Sequence, residues 1–332
     1  MMRAVVTTIY SPTAAVKALA ARAPAIVIGD RKTPADWQCD GAEFYSFDQQ
    51  RKLGFDLLRY TRQNHYARKN IGYLLAMRDR ATVIYDTDDD NVPNAAWQER
   101  VVDCQASTVS GSGWLNVYRF FRQSGLWPRG FPLTEITNWH PKVEPNRSPA
   151  QVRCSIQQGL ADGDPDVDAI CRLTVPSARE VVFHEHGSIA LSKGVWCPFN
   201  SQSTWWFPEA FPLLYLPIAA PFRMTDIWRS FVAQRCLWEI GGHVAFHSPA
   251  EVVQERNPHD LLGDFTDEVS GYLRNGEIAE LLGRLTLESG SNNVGRNLAT
   301  CYQTLVYANV LPPSELLAVE AWLADVNFLI GK

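Results

Sequence analysis

Val83-Ile84-Tyr85-Asp86-Thr87-Asp88-Asp89-Asp90-Asn91 is the stretch on which the reading of this chain turns. Ala81 to Tyr85 is a short apolar, β-branched run, long enough for a buried strand and too short for a core helix. It leads directly into four carboxylates. In an extended chain alternate residues share a face, so Asp86, Asp88 and Asp90 crowd together unless the backbone turns. Carboxylates packed that closely raise one another's pKa unless a cation compensates them. Two readings fit: a metal–diphosphate site at the carboxyl edge of a sheet, where a hard cation takes one or two carboxylates and substrate phosphates, or a solvated acidic turn capping the next helix.

Working outward, the neighbouring segments alternate between strand and helix. Ala4–Ile9 reads as a strand. Ser11-Pro12-Thr13 starts a helix over Ala14–Ala23, and Ala25–Ile28 is a second buried strand ending in Gly29-Asp30-Arg31-Lys32-Thr33-Pro34. Phe44–Phe47 reads as a short strand, and Leu53–Tyr60 and Ala67–Met77 as helices. This is the order of an α/β sheet with crossover connections, in which ligands sit at the carboxyl ends of the strands. The polar loops Thr7–Ser11, Gly29–Lys32 and Asp86–Asn91 would then line one crevice. No Gly-x-Gly-x-x-Gly or P-loop pattern follows any of these strands, which removes the usual dinucleotide and P-loop readings.

The second half is less regular. Trp97–Arg147 is rich in Trp, Pro and Gly around Trp127-Pro128-Arg129-Gly130-Phe131-Pro132. A strand begins at Ile156. The alternating Asp162, Asp164, Asp166 and Asp168 suggest a calcium loop, but Pro165 and the missing glycine and distal glutamate favour a polar turn. Val181–His186 reads as a strand with His184 and His186 on one face. Trp205–Ala220, with Pro208, Pro212 and Pro217 inside it and Pro221 just after, reads as a packed loop with short extended pieces. Met224–Trp238 is an amphipathic helix with Thr225 as its N-cap and Asp226 in its first turn. His243 and His247 lie in an extended segment, roughly 13 Å apart, too far to share one ion. His247 is the candidate to reach the Asp cluster, against a structural role for both. After Asp260 the chain is helical and reads as a cover for the sheet.

Composition narrows the classes. At 332 residues with 46% hydrophobic and 20% charged, the chain has an ordinary globular make-up. A formal charge of −5 and a pI near 5.8 leave no electrostatic footprint for nucleic acid. No apolar run is long enough to span a bilayer, and the N-terminus reads as a strand rather than a leader. Seven scattered cysteines without a Cys-x-x-Cys favour reduced thiols and a cytoplasmic setting.

Arg68-Lys-Asn-Ile-Gly-Tyr-Leu-Leu-Ala76 followed by the Asp block resembles the STELLO family of glycosyltransferases. Gly29–Pro34, Trp127–Pro132, Pro165–Ile170, Pro198–Gln202 and Thr225–Arg229 resemble the same family in the same order, so the match covers about residues 4–260. The Asp block and Arg-Gly-Phe-Pro are also similar to the reversibly glycosylated polypeptides, which include UDP-arabinopyranose mutases. In those an arginine in the place of Arg129 is thought to carry the sugar. Both resemblances imply an α/β, GT-A-like mixed sheet and a nucleoside-diphosphate sugar, with a catalytic domain over 1–258 and a helical extension over 259–332. The expected activity is hexosyl or pentosyl transfer from a UDP-sugar to a glycan, lipid or protein acceptor. The alternatives are mutase or self-glycosylating chemistry through Arg129 and a non-catalytic sugar-nucleotide scaffold. Homo-oligomerisation is left open. In this reading Asp88 and Asp90, with His247, hold Mn²⁺ or Mg²⁺. Asp30, Lys32, Arg68 and Lys69 meet the nucleotide, Asn200 and Gln202 the sugar, and Asp226 is the base. Arg129 is a diphosphate clamp, a packing group or a sugar carrier.

Overall fold

The computed structural model describes residues 1–121, 125–137, 143–145, 148–178, 180–184, 187–254 and 260–331. The strands of its large sheet are β1 (Met2–Thr8), β2 (Ala25–Gly29), β3 (Ala42–Tyr45), β4 (Val83–Thr87), β5 (Asn91–Pro93), β6 (Asp103–Gly111), β7 (Val143–Pro145), β8 (Ala150–Arg153), β9 (Ile156–Gly163), β10 (Ser188–Leu191), β11 (Ser203–Trp206) and β12 (Val244–Gln254). The main helices are α1 (Ala14–Ala20), α2 (Lys69–Arg78), α3 (Ala169–Thr174), α4 (Thr225–Leu237), α5 (Leu261–Gly283), α6 (Val294–Tyr307) and α7 (Ser314–Ile330).

The sheet runs β3-β2-β1-β4-β11-β9-β12-β10-β6-β7, with β5 added on β12 and β8 on β6. Its first four strands are parallel and joined by crossovers. β11 then enters antiparallel between β4 and β9. The result is a mixed α/β sheet flanked by helices, the arrangement expected of a GT-A-like domain. Side chains of the parallel strands alternate between two apolar layers, as the period of two requires. Val5, Ile26, Ile28 and Ile84 face the larger core, while Ala4, Val6, Val27 and Tyr85 face the smaller one under α1.

α2 lies very close to the sheet. A Cβ at Gly72 would stand 2.5 Å from Val5 Cγ1 and 3.0 Å from Ile28 Cγ1, so only glycine permits this approach. The contact fixes α2 against β1 and β2.

Several sequence expectations shift. β4 lies two residues later than 81–85, so Asp86 is inside the sheet, opposite Val5 on β1 and Thr204 on β11. A charge there is tolerated because two buried cations meet it, as described below. Leu53–Tyr60 contains only a 3₁₀ turn at Asp56–Arg59, and Phe47 opens a short helix rather than closing a strand. Val181 makes a single bridge to Gly163, and 182–184 form no strand; His186 lies outside the described residues. In Trp205–Ala220 the end of β11 is an extended piece as expected, and the departure is a 3₁₀ helix over Pro208–Leu214. Thr225 is the first residue of α4 rather than its N-cap, and its hydroxyl donates to the Pro221 carbonyl at 3.1 Å.

The C-terminal helices do not cover the sheet. α5 packs on α3 and α4, α6 on α4, and α7 on α2 and α6, so they add a layer above the helices. Among the described residues no helix is long and apolar enough to cross a membrane.

Candidate functional site

The carboxyl ends of β1, β2 and β4 meet at one cavity of about 370 Å³. Thr7–Tyr10, Ile28–Asp30, Lys32, Asn64–Tyr66, Arg68, Asp88–Asp90 and Phe222 line it. Five of the residues expected in the site, Asp30, Lys32, Arg68, Asp88 and Asp90, are therefore gathered around one space.

Behind the cavity sits a buried charge relay. Lys69 opens α2, a helix with residues 69–77 all buried, so its ammonium must find partners inside the protein. Its Nζ lies 2.7 Å from Asp86 Oδ1 and 2.8 Å from Asp88 Oδ1. Burial alone would lower the Lys69 pKa, but the two carboxylates hold it above its ordinary value. The second oxygen of Asp86 takes Arg229 Nη1 at 3.0 Å. Tyr66 donates its hydroxyl to Asp88 Oδ1 at 2.7 Å. Asp88 thus uses Oδ1 for two donors while its carboxyl group borders the cavity. Lys69 was expected to meet phosphate; its fully buried Nζ is instead the counter-ion of the Asp block.

The remaining carboxylates of the block are also fixed. Thr8 Oγ1 donates to Asp89 Oδ2, and Asp90 accepts from Gln254 Nε2 at 2.9 Å. Burial, together with the neighbouring charge of Asp90, lifts Asp88 above the usual carboxylate range despite the opposing pull of Lys69. Burial pushes Asp89 up to about 6, with Asp88 and Asp90 adding to the rise. A carboxylate cluster held in this state is one that a divalent cation would relieve. Among the described residues no three His, Cys, Asp or Glu side chains converge to enclose a metal. The protein donors fit a hard ion that takes one or two carboxylates and completes its shell with phosphate and water.

On the nucleotide side, Asp30 accepts the Arg31 N–H at 2.7 Å and the His65 N–H at 3.3 Å, and stands 3.9 Å from Arg68 Nε. Arg68 stacks over Phe47 at 4.7 Å, bonds to Gln50 and donates to the Arg62 carbonyl. Lys32 is exposed at the rim.

The other expected residues do not line this cavity. Arg129 is buried and fully engaged. Its Nε and Nη2 take Asp166 at 2.7 Å each, Nη2 also reaches both Asp226 oxygens at 3.1 and 3.2 Å, and Nη1 donates to the Arg223 carbonyl. Gly130 makes the clamp fit: its φ is +91°, and a Cβ there would stand only 2.3 Å from Ile227 Cγ2 on α4. Asp226 is raised by burial, against the pull of Arg129, with the Asp166 and Asp88 charges adding to the rise. Asn200 accepts from Gln158 at 2.9 Å, and Gln202 bonds to Gln254, which in turn holds Asp90. His247 has both ring nitrogens occupied, by Ser188 Oγ at 2.6 Å and Gln157 Oε1 at 3.0 Å, and points at no cavity carboxylate.

The four alternating aspartates separate. Asp162 accepts the Phe183 N–H, Asp164 pairs with Arg172, Asp166 with Arg129, and Asp168 caps α3. Thr8, Tyr66, Arg229 and Gln254 were not singled out from sequence. Thr8 carried a signal of position, since it lies in the Thr7–Ser11 loop expected at the crevice.

The match to the STELLO glycosyltransferases family model spans residues 223–330, from α4 into the C-terminal helices. Two Arabidopsis thaliana proteins named probable glycosyltransferases STELLO1 and STELLO2 are each 32% identical over 248 residues, covering 68% of this chain. The chain is of the STELLO type. It spans about a third of the length of these curated relatives, 31% and 32% respectively. The resemblance to STELLO expected from the ordered motifs is therefore met, while the residues that line the cavity all precede the range matched by the family model.

Proposed function

We propose that this chain is a glycosyltransferase domain that binds a nucleoside-diphosphate sugar in the cavity at the ends of β1, β2 and β4. The observation that carries the reading is the convergence of Asp88–Asp90, Asp30, Arg68 and Lys32 on one 370 Å³ space at the carboxyl edge of a parallel sheet, where such ligands bind. Asp88 and Asp90 would hold Mn²⁺ or Mg²⁺, with Lys69 and Tyr66 fixing the orientation of Asp88. A bound cation supplies stabilisation of the negative charge that builds on the departing diphosphate. Asp30, Arg68 and Lys32 serve the nucleotide. Asp226, close enough for the Asp88 charge to act on it, is the candidate to take the acceptor proton.

The engagement of Arg129 favours transfer to an external acceptor over a sugar carried on the protein. A guanidinium held by two carboxylates stays protonated and offers no lone pair to an anomeric carbon. The test is incubation with a panel of UDP-hexoses and UDP-pentoses and Mn²⁺, following UDP release with and without chelator. Cation-dependent UDP release supports the reading; no release and no binding of any sugar nucleotide would sink it.

A further inference from the structure

Two carboxylates on α7 are buried and do not line the cavity. Asp325 on α7 turns both oxygens on another part of the chain. The Asp56 N–H donates to Oδ1 and the Leu57 N–H to Oδ2, each at 2.9 Å. The Asp56–Arg59 turn has no capping side chain of its own. Asp325 therefore supplies from a distance what an N-cap residue supplies locally.

Glu315 lies on the same helix, about 15 Å along its axis at 1.5 Å per residue. It is fully buried. Its Oε1 accepts the Tyr215 hydroxyl at 2.6 Å and the Ile218 N–H at 3.0 Å, and Oε2 accepts the Ala219 N–H at 2.8 Å.

Both gripped segments run directly into the cavity wall. The first leads to Asn64, His65 and Tyr66, and the second to Phe222. The two also meet each other: the His65 and Tyr66 rings approach Phe222 edge-on at 6.2 and 6.0 Å. On α5, Glu268 adds a third tie, accepting from Arg223 Nε at 2.6 Å beside Phe222.

We infer that Asp325 and Glu315 are positioning residues that hold two cavity-lining segments in the ligand-binding arrangement, so that the C-terminal helices form part of the binding apparatus. Loops that would otherwise sample several arrangements are tied by backbone and hydroxyl donors to one rigid helix. Losing a tie lowers the fraction of molecules ready to bind, and a competent fraction of about one fifth weakens apparent affinity about fivefold. The ligand half of this inference rests on the nucleotide reading above; the loop half does not.

The test uses the full chain, with UDP plus Mn²⁺ as the probe and hydrogen exchange of the ligand-free protein as an independent readout. Asp325→Ala should speed amide exchange over 57–61 and weaken UDP about fivefold. Glu315→Ala should do the same over 218–220. Asp325→Asn, which keeps one acceptor, should recover part of both effects, and it carries the test if the alanine variant does not fold. Val326→Ala trims a buried apolar side chain of the same helix while leaving both carboxylates in place, and should lower the melting temperature without changing loop exchange or UDP affinity. Unchanged loop protection in the Asp325 and Glu315 variants would overturn the inference, as would an equal loss of UDP affinity in Val326→Ala. If UDP fails to bind the wild type, the nucleotide reading fails, and the exchange data alone decide the loop claim.

Discussion

Replacing Lys69 by Met probes the charge relay behind the cavity. Lys69 is fully buried, and its Nζ is shared by Asp86 at 2.7 Å, Asp88 at 2.8 Å and the Tyr66 hydroxyl at 3.1 Å. Methionine fills similar space without charge, leaving two carboxylates facing each other. Removing one partner of a buried ion pair costs about 3–5 kcal/mol, because the other charge stays desolvated and unpaired. Arg229 still meets Asp86, which places the loss toward the lower end. Unfolding entropy near 2.1 cal/mol/K per residue gives about 0.7 kcal/mol/K for this chain, so the midpoint should fall by about 4–7 °C. Two further measurements identify the cause. Adding Asp88→Asn to the variant removes the second charge and should restore part of the loss. Mn²⁺ at a hundredfold excess over Kd stabilises a protein by about 2.7 kcal/mol, and at one fixed Mn²⁺ concentration the gain should be larger for Lys69→Met than for the wild type. Thermal unfolding of wild type, both single variants and the double variant, with and without Mn²⁺, provides the data. A midpoint within a degree of wild type, or no recovery on adding Asp88→Asn, would refute the argument that Lys69 is the counter-ion of the block.

Three other outcomes are expected. Asp226→Asn should reduce transfer about a hundredfold or more while changing donor affinity little, since a base acts in the transition state; steady-state rates beside calorimetry decide it, and equal losses would assign Asp226 to holding Arg129. After incubation with UDP-sugar and Mn²⁺, peptide mapping should find Arg129 unmodified, and a stoichiometric pentose or hexose there would make mutase chemistry the leading reading. Asp168 is pushed up to about 7 by burial, so its contribution to stability is complete below the unfolded carboxylate pKa and lost as pH rises through about 7. The midpoint should therefore decline between about pH 4 and pH 7, and Asp168→Asn should flatten that decline; an unchanged slope would contradict it.

The parallel half of the fold was legible because its strands are short apolar runs that end in polar loops. Val5, Ile26 and Ile84 alternate with Ala4, Val27 and Tyr85 in the pattern a two-sided buried sheet requires. β6 was not legible. Of its nine residues only Ala106 and Val109 are fully buried, so Asp103–Gly111 reads as a polar stretch. The cavity was legible from its three loops, since topology alone brings them to one edge. Its countercharges were not. A lysine at a helix start normally reads as solvent-exposed, and nothing local shows that α2 is buried on all sides. Arg229 was quoted only as part of a motif, because its partner lies 143 residues away. Asp325 and Glu315 look like the polar face of an ordinary helix, and their role follows from backbone donors far away in sequence.

The central claim is a cation-dependent sugar-nucleotide site at Asp88 and Asp90. Calorimetric titration of a UDP-sugar into wild type, Asp88→Asn and Asp90→Asn, each with Mn²⁺ and with chelator, tests it most directly. Wild-type binding should weaken at least about tenfold, or 1.4 kcal/mol, when the cation is withdrawn. Neither variant should show cation-dependent binding, at melting temperatures that show both are folded. Wild-type-like, cation-dependent affinity in both variants would contradict it.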